Sequence, residues 1–251
     1  MRVRPNSTRP RAARSYTPVS EEPSEALEFH IKLRPTGEMS SALWAAPVGF
    51  ALTLCGPHGR SLMCHSSPDR VWSALLMVVG GITVNRVLSV IKYTLSCAPR
   101  AGAGRMVLIW SVAREEDLCV LDELRALVGA SAGRLTVHAV VSRPSSAWRS
   151  ECGRVTEALL ERLLADPAAV AEGTPGAGGE SGGGAGDDVS VIVAGPDAMR
   201  ANAVRCLVAV GCGRRARVRC SCASEPGIRR YPESVIVDLD NEEVATADVV
   251  S

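Results

Sequence analysis

Two kinds of apolar pattern divide the chain. Up to about residue 66, short apolar runs alternate with polar residues and end in turn-forming clusters; beyond it, continuous apolar runs alternate with stretches of helical spacing. Leu27-Glu28-Phe29-His30-Ile31-Lys32-Leu33 alternates at every step and predicts a strand with one buried face. Pro35-Thr36-Gly37 closes that run, Met39 to Ala46 predicts a short helix behind a Ser or Gly cap, and Phe50 to Leu54 predicts a second strand ended by Gly56-Pro57-His58-Gly59. Strands joined by such turns predict a partial antiparallel β barrel over residues 1–66.

The second pattern is stronger. Ser73 to Val79 is unbroken apolar sequence followed at once by Gly80-Gly81, and Met106 to Val112, Leu135 to Val141 and Val189 to Ala194 predict further buried strands. Between them, Val84 to Leu95, Asp117 to Val128, Val155 to Leu164 and Ala198 to Val210 carry helical spacing. This alternation predicts an α/β domain with a parallel sheet covered on both faces, spanning residues 67–251. The glycine-rich stretch at 173–187 cannot bury a core and is expected to be a disordered insertion within that domain. Tyr231 to Asp240 offers a last strand, and Arg214, Arg215, Arg217 and Arg219 form a basic patch read as a solvated edge.

Composition narrows the function. A net charge of +1 gives no electrostatic reason to expect nucleic acid or a membrane surface as partner. Trp44 to Cys55 and Val71 to Ile82 are too short to span a bilayer. The nine Cys lack paired zinc spacings, so no metal site is expected and free thiols in a reducing compartment are. Five Arg at positions 2, 4, 9, 11 and 14, with no acid among them, are also compatible with a mitochondrial presequence. The expected location is the cytoplasm, or the cytosolic side of a membrane reached through a missing N-terminus, with the mitochondrion as alternative.

Arg14-Ser15-Tyr16-Thr17-Pro18-Val19-Ser20 combines a cation, an aromatic face and hydroxyls in seven residues. A guanidinium can clamp a phosphate, a phenol ring can pack on an isoalloxazine, and hydroxyls can bond its polar edge, so the stretch is a candidate flavin site. A strand that happens to contain Arg and Tyr is the plain alternative. Gly37, Met39, Ser40 and Ser41 open a predicted helix whose free N–H groups suit a diphosphate. Gly80, Gly81 and Thr83 lie where a buried strand gives way to a helix, where α/β sheets receive pyrophosphate. After the next strand, Ser111 to Asp117 carries Arg114 beside three acids, which leaves a 2′-phosphate and a 2′-hydroxyl both open.

Taken in order, RSYTPVS, IKLRPTGEMSSAL (31–43), CGPHG (55–59), VVGGIT (78–83), SRPSSAW with GRVTEALL (142–160) and VAGPDAM (193–199) resemble the NADH-cytochrome b5 reductase group of the ferredoxin-reductase-like flavoenzymes. The resemblance implies a barrel that binds FAD followed by a domain that binds NADH, with NADPH possible. By matching position, Arg14 would bind the FAD pyrophosphate, Tyr16 would contact the flavin ring, and Thr17 would make the catalytic contact near flavin N5. Gly37, Met39, Ser40 and Ser41 would cradle the second phosphate. Gly80, Gly81 and Thr83 would hold the dinucleotide, and Gly195, Pro196 and Met199 would lie near the nicotinamide. It further implies hydride transfer from NADH to FAD, then single electrons to an acceptor protein such as cytochrome b5 or another haem protein.

The chain also departs from the pattern. The glycine loop, usually resembling GGTGITP, reads as two residues shorter and without the Pro, and Ala194 and Asp197 replace a Cys and a Pro of CGPPPM. These changes imply weaker nicotinamide placement. The RxYT motif begins at residue 14, where the family has barrel strands ahead of it, so the expectation is an N-terminally truncated barrel. An impaired nucleotide-binding or interaction module derived from such a reductase is therefore the alternative, and a ferric-reductase-like tail suggested by Leu108 to Val112 is a weaker one.

Overall fold

The computed structural model describes residues 2–5, 14–20, 26–55, 74–96, 105–164, 189–211 and 237–238. Two sheets result. The first is antiparallel and three-stranded, with β1 (Arg2–Pro5) between β2 (Arg14–Ser15) and β3 (Leu52–Cys55). The helix α1 (Glu38–Ala45) lies between β2 and β3 in sequence.

Six parallel strands make the second sheet. In chain order they are β4 (Ala74–Gly80), β5 (Arg105–Val112), β6 (Leu135–Val141), β7 (Glu151–Cys152), β8 (Val189–Ala194) and β9 (Val237–Asp238); across the sheet the order is β7-β6-β5-β4-β8-β9. The helices are α2 (Val84–Ser96), α3 (Leu121–Ala130), α4 (Glu157–Leu164) and α5 (Asp197–Ala209).

Side chains explain why the strands read as unbroken apolar runs. Leu75, Met77 and Val79 of β4 pack with Met106, Leu108 and Trp110 of β5 beneath α2 and α3. Leu76 and Val78 pack with Val107, Ile109, Val191 and Val193 beneath α4 and α5. Alternate residues thus serve opposite faces, and both faces are buried. Each fully buried side chain of this kind contributes about 1.5–3 kcal/mol relative to exposure.

Several sequence expectations change. Leu27 to Leu33 forms no strand. Its polar residues are instead tied to the α/β unit, where Asn85 Nδ2 donates to the His30 carbonyl (3.1 Å) and Lys32 pairs with Asp117. Alternation reports half-burial, but here Leu27 and Leu33 stay exposed while the polar His30 meets the start of α2. The helix expected from Asp117 begins at Leu121, after a separate 3-10 turn at Glu115–Asp117. The helix expected from Val155 begins at Glu157, with the Thr156 hydroxyl accepting the Leu159 N–H (3.2 Å). The insertion at 173–187, the basic patch at 214–219 and most of 231–240 lie outside the described residues.

Candidate active site

In the first unit, Tyr16 is half-buried against Met39, which is 1% exposed, with Leu43 beside them. Burial raises the Tyr16 pKa and the nearby Arg14 charge opposes that rise, so these residues share one neighbourhood. Thr17 follows half-buried, and Val19 N–H donates to the Glu28 carbonyl (2.8 Å). Three residues expected at a flavin (Arg14, Tyr16 and Met39) therefore come together, with the Met39 side chain serving as the support under the ring of Tyr16.

The start of α1 is a locked turn. Gly37 N–H donates to the Arg34 carbonyl (2.8 Å), which also accepts from the hydroxyls of Ser40 and Ser41 (both 3.2 Å). A Cβ on Gly37 would stand 2.6 Å from Ser40 Oγ, so the turn requires glycine. The two serine hydroxyls are thus engaged in shaping the turn. What the turn presents outward is backbone, because the N–H groups of Glu38, Met39 and Ser40 precede any intrahelical acceptor.

In the α/β unit, α2 and α3 cover one face of the sheet and α4 and α5 the other. The winding reverses between β4 and its neighbour β8, and at such a switch the crevice beyond the carboxyl ends of the strands receives the ligand. Gly80 ends β4 and Gly195 follows β8. A Cβ on Gly195, where φ is +148°, would lie 3.1 Å from Gly80 Cα and 3.0 Å from Met199 Sδ. A Cβ on Gly80 would lie 3.0 Å from Pro196 Cδ. Two glycines are needed for these strand ends to approach so closely, and Met199 backs them from α5.

Gly81 has φ +57° with nothing within 4 Å of an added Cβ, so the left-handed turn opens onto free space. The 3-10 turn Gly81–Thr83 then runs straight into α2, and the Thr83 hydroxyl donates to the Gly80 carbonyl (2.6 Å). The short connection therefore still delivers the N-terminus of a 13-residue helix to the crevice. Space cleared by paired glycines and lined by N–H groups suits a pyrophosphate.

Sequence reading missed two supporting residues. Trp110, fully buried on β5, donates from Nε1 to the Gly81 carbonyl (2.8 Å) and fixes the turn from below. Asn85, 4% exposed in the first turn of α2, donates to the His30 carbonyl and accepts from His30 Nδ1 (3.3 Å), joining the glycine turn to the segment that follows the flavin motif. Neither has a short-range signal, since both partners are distant in sequence.

The pattern of the family described as oxidoreductase NAD-binding domain matches residues 77–205, just over half of the chain, and that described as oxidoreductase FAD-binding domain matches residues 1–62. The chain belongs to the ferredoxin-reductase family of FAD- and NAD-binding oxidoreductases. Among its relatives in that family, a protein named NADH-cytochrome b5 reductase-like protein alnC from Emericella nidulans is 30% identical over 61% of this chain and 31% of its own length. NADH-cytochrome b5 reductase 1 of Pyricularia oryzae is 26% identical over 82% of this chain and 60% of its own length. The xylene/toluene monooxygenase electron transfer component XylA of Pseudomonas putida is 34% identical over 62% of this chain and 43% of its own. The chain thus spans between 31% and 60% of these reductase-family relatives.

The fold agrees. The cytochrome b5 reductase domain of Ulva prolifera nitrate reductase superimposes with a TM-score of 0.64 at 22% identity, over 84% of this chain and 79% of that one. The Neisseria gonorrhoeae ferredoxin NADP+ reductase, solved with FAD and NADP, gives 0.61 at 20% identity over 90% and 78%. The ferredoxin-reductase-like fold is therefore present, with the described part of the FAD unit forming three strands of what is a barrel in these neighbours. Among the described residues no cluster of His, Cys, Asp or Glu could hold a metal ion, and no helix is long and apolar enough to cross a membrane.

Proposed function

We propose that this chain is an NAD(P)H-dependent flavoprotein reductase that passes a hydride from the nicotinamide to FAD and then single electrons to a cytochrome-b5-like or other haem acceptor. The observation that carries this reading is the glycine pair at the switch point, Gly80 against Gly195, cleared to backbone beside the open turn at Gly81. The named activities of the relatives support it.

Arg14 would clamp the FAD diphosphate from β2, with the N–H groups at the start of α1 facing its second phosphate. Tyr16, held by Met39, would pack on the flavin ring, and Thr17 would donate to its polar edge. Gly80, Gly81 and the first turn of α2 would hold the dinucleotide pyrophosphate, with Thr83 keeping the turn closed. Gly195, Pro196 and Met199 would bound the nicotinamide end of the crevice. When bound, the flavin supplies the chemistry that accepts a hydride and releases electrons singly. The cytosol, which keeps thiols reduced, suits a chain in which Cys55, Cys119, Cys152 and Cys206 are unbridged.

Purified protein is expected to show flavin absorbance and to reduce ferricyanide with NADH or NADPH. Colourless protein that takes up no added FAD defeats the proposal. A second reading, a module that binds dinucleotide without turnover, is favoured by the exposed Leu52 and Leu54 on β3. Calorimetric dinucleotide binding with no oxidation of the nicotinamide would select it.

A further inference from the structure

Residues 28–34 form a strap that touches both candidate cofactor sites. At one end, Val19 N–H of the flavin motif donates to the Glu28 carbonyl (2.8 Å), and Glu28 N–H donates to the Ser20 hydroxyl (3.3 Å). At the other, Arg34 N–H donates to the Ser40 hydroxyl (3.1 Å), and the Arg34 carbonyl accepts from Gly37 N–H (2.8 Å) at the start of α1. The middle of the strap is held by the α/β unit. His30 meets Asn85 in the first turn of α2, and Lys32 pairs with Asp117 in the 3-10 turn after β5.

These two attachments differ in kind. The Lys32 side chain is 46% exposed, so water screens its pair with Asp117. Asn85 is 4% exposed and uses both ends of its amide. Its Nδ2 donates to the His30 carbonyl (3.1 Å), which leaves Oδ1 to face the ring, 3.3 Å from Nδ1. An amide oxygen only accepts, so the ring carries a proton on Nδ1 and turns Nε2 toward Glu28 (3.5 Å). One buried side chain thus holds both the backbone and the ring of the strap's central residue.

Asn85 therefore belongs to two structures at once. Its backbone is part of the helix turn where the pyrophosphate is proposed to sit, and its side chain fixes the strap whose ends shape the flavin motif and the α1 turn. A ligand that orders this helix turn orders the strap, and an ordered strap leaves less to immobilise when the flavin binds. We infer that Asn85 is a positioning residue that couples the two cofactor sites: a dinucleotide in the crevice tightens FAD binding, and FAD tightens dinucleotide binding by the same factor. The inference rests on the reading of the two sites as cofactor sites.

The test is calorimetry on the full chain stripped of flavin, with FAD and ADP-ribose as probes. ADP-ribose carries the pyrophosphate and lacks the nicotinamide, so coupling seen with it does not come from contact between nicotinamide and flavin. With ADP-ribose saturating, FAD is expected to bind about fivefold more tightly or better, and the reverse titration to give the same factor. With ADP-ribose alone, hydrogen exchange at residues 28–33 is expected to slow. Asn85→Ala should abolish both effects while each probe still binds by itself. His30→Ala, which keeps the carbonyl and lies on the other side of the link, should reduce both in part. FAD affinity in the parent that ignores ADP-ribose overturns the inference and leaves both sites standing. A factor left whole by Asn85→Ala, or by His30→Ala should the first variant not fold, overturns the role of Asn85. Failure of either probe to bind the parent overturns the inference and the reading of that site together.

Discussion

Every residue of β4 in the parallel sheet is buried, whereas Leu52 and Leu54 of β3 in the antiparallel sheet stay 41% and 40% exposed. The contrast extends to their surroundings. The parallel sheet is closed by four helices over two apolar layers. In the first unit the described buried residues are Val19, Met39 and Ser40, while Trp44, Val48 and Phe50 face outward. The α/β unit thus holds its shape by its own core. The described part of the first unit holds its shape by hydrogen-bonded turns and by its attachments at His30 and Lys32. Precision at the flavin motif is consequently borrowed from the dinucleotide unit.

Truncating one strand residue in each unit should show the difference between them most visibly. Trp110→Ala removes a fully buried ring and the side-chain donor to the Gly81 carbonyl, and is expected to cost about 3–5 kcal/mol. Leu54→Ala on the exposed strand should cost less than about 1 kcal/mol. Denaturant midpoints of the two variants decide this, and equal losses would contradict the division.

Gly81→Val places a β-branched residue at φ +57°, a strain of roughly 1–3 kcal/mol. The expected result is a nicotinamide KM raised about tenfold or more with flavin content unchanged. A variant that lost its FAD absorbance instead would show that the two units are not separable in this way.

Asn85→Ala sharpens the view of how one unit steadies the other. It leaves the His30 carbonyl and ring without their buried partner, at a cost of about 1–3 kcal/mol. Faster proteolysis within residues 20–34, with slower turnover at unchanged FAD content, is the expected signature. Lys32→Ala removes a partly exposed pair and should shift the same readouts by less, in the range of about 0–1 kcal/mol.

The smallest effect concerns acid. The Arg162 fork holds the Glu151 carboxyl below its ordinary range, outweighing the opposing effect of burial. A depressed carboxylate stabilises the fold above its unfolded pKa, and the stabilisation fades as pH falls through the folded value. The melting temperature should therefore decline as pH drops below about 4, and Glu151→Gln should flatten part of that decline.

Legibility followed the same division. The four long strands of the parallel sheet could be read because two-sided burial leaves an unbroken apolar run, and the paired glycines could be read because they end two such runs. The two-residue β7 could not, because so short a strand has no period. Leu27 to Leu33 misled because its alternating polar residues serve a helix start and a 3-10 turn in the other unit. Leu108 to Val112 suggested a relationship to ferric reductases, whereas its Trp110 is a core residue whose indole supports the glycine turn. At the flavin side, Ser40 and Ser41 read as phosphate contacts, and the sequence could not show that the Arg34 carbonyl already engages both hydroxyls.

The indole of Trp110 has one more consequence, this time optical. It is wholly shielded and bonded to the carbonyl of Gly81, the left-handed glycine of the turn, while Trp44 is 75% exposed and emits from water. Of the four tryptophans of the chain, this one therefore sits as a fluorophore under the loop, and the difference in emission between the parent and Trp110→Phe should report changes at the crevice without a dye or a label.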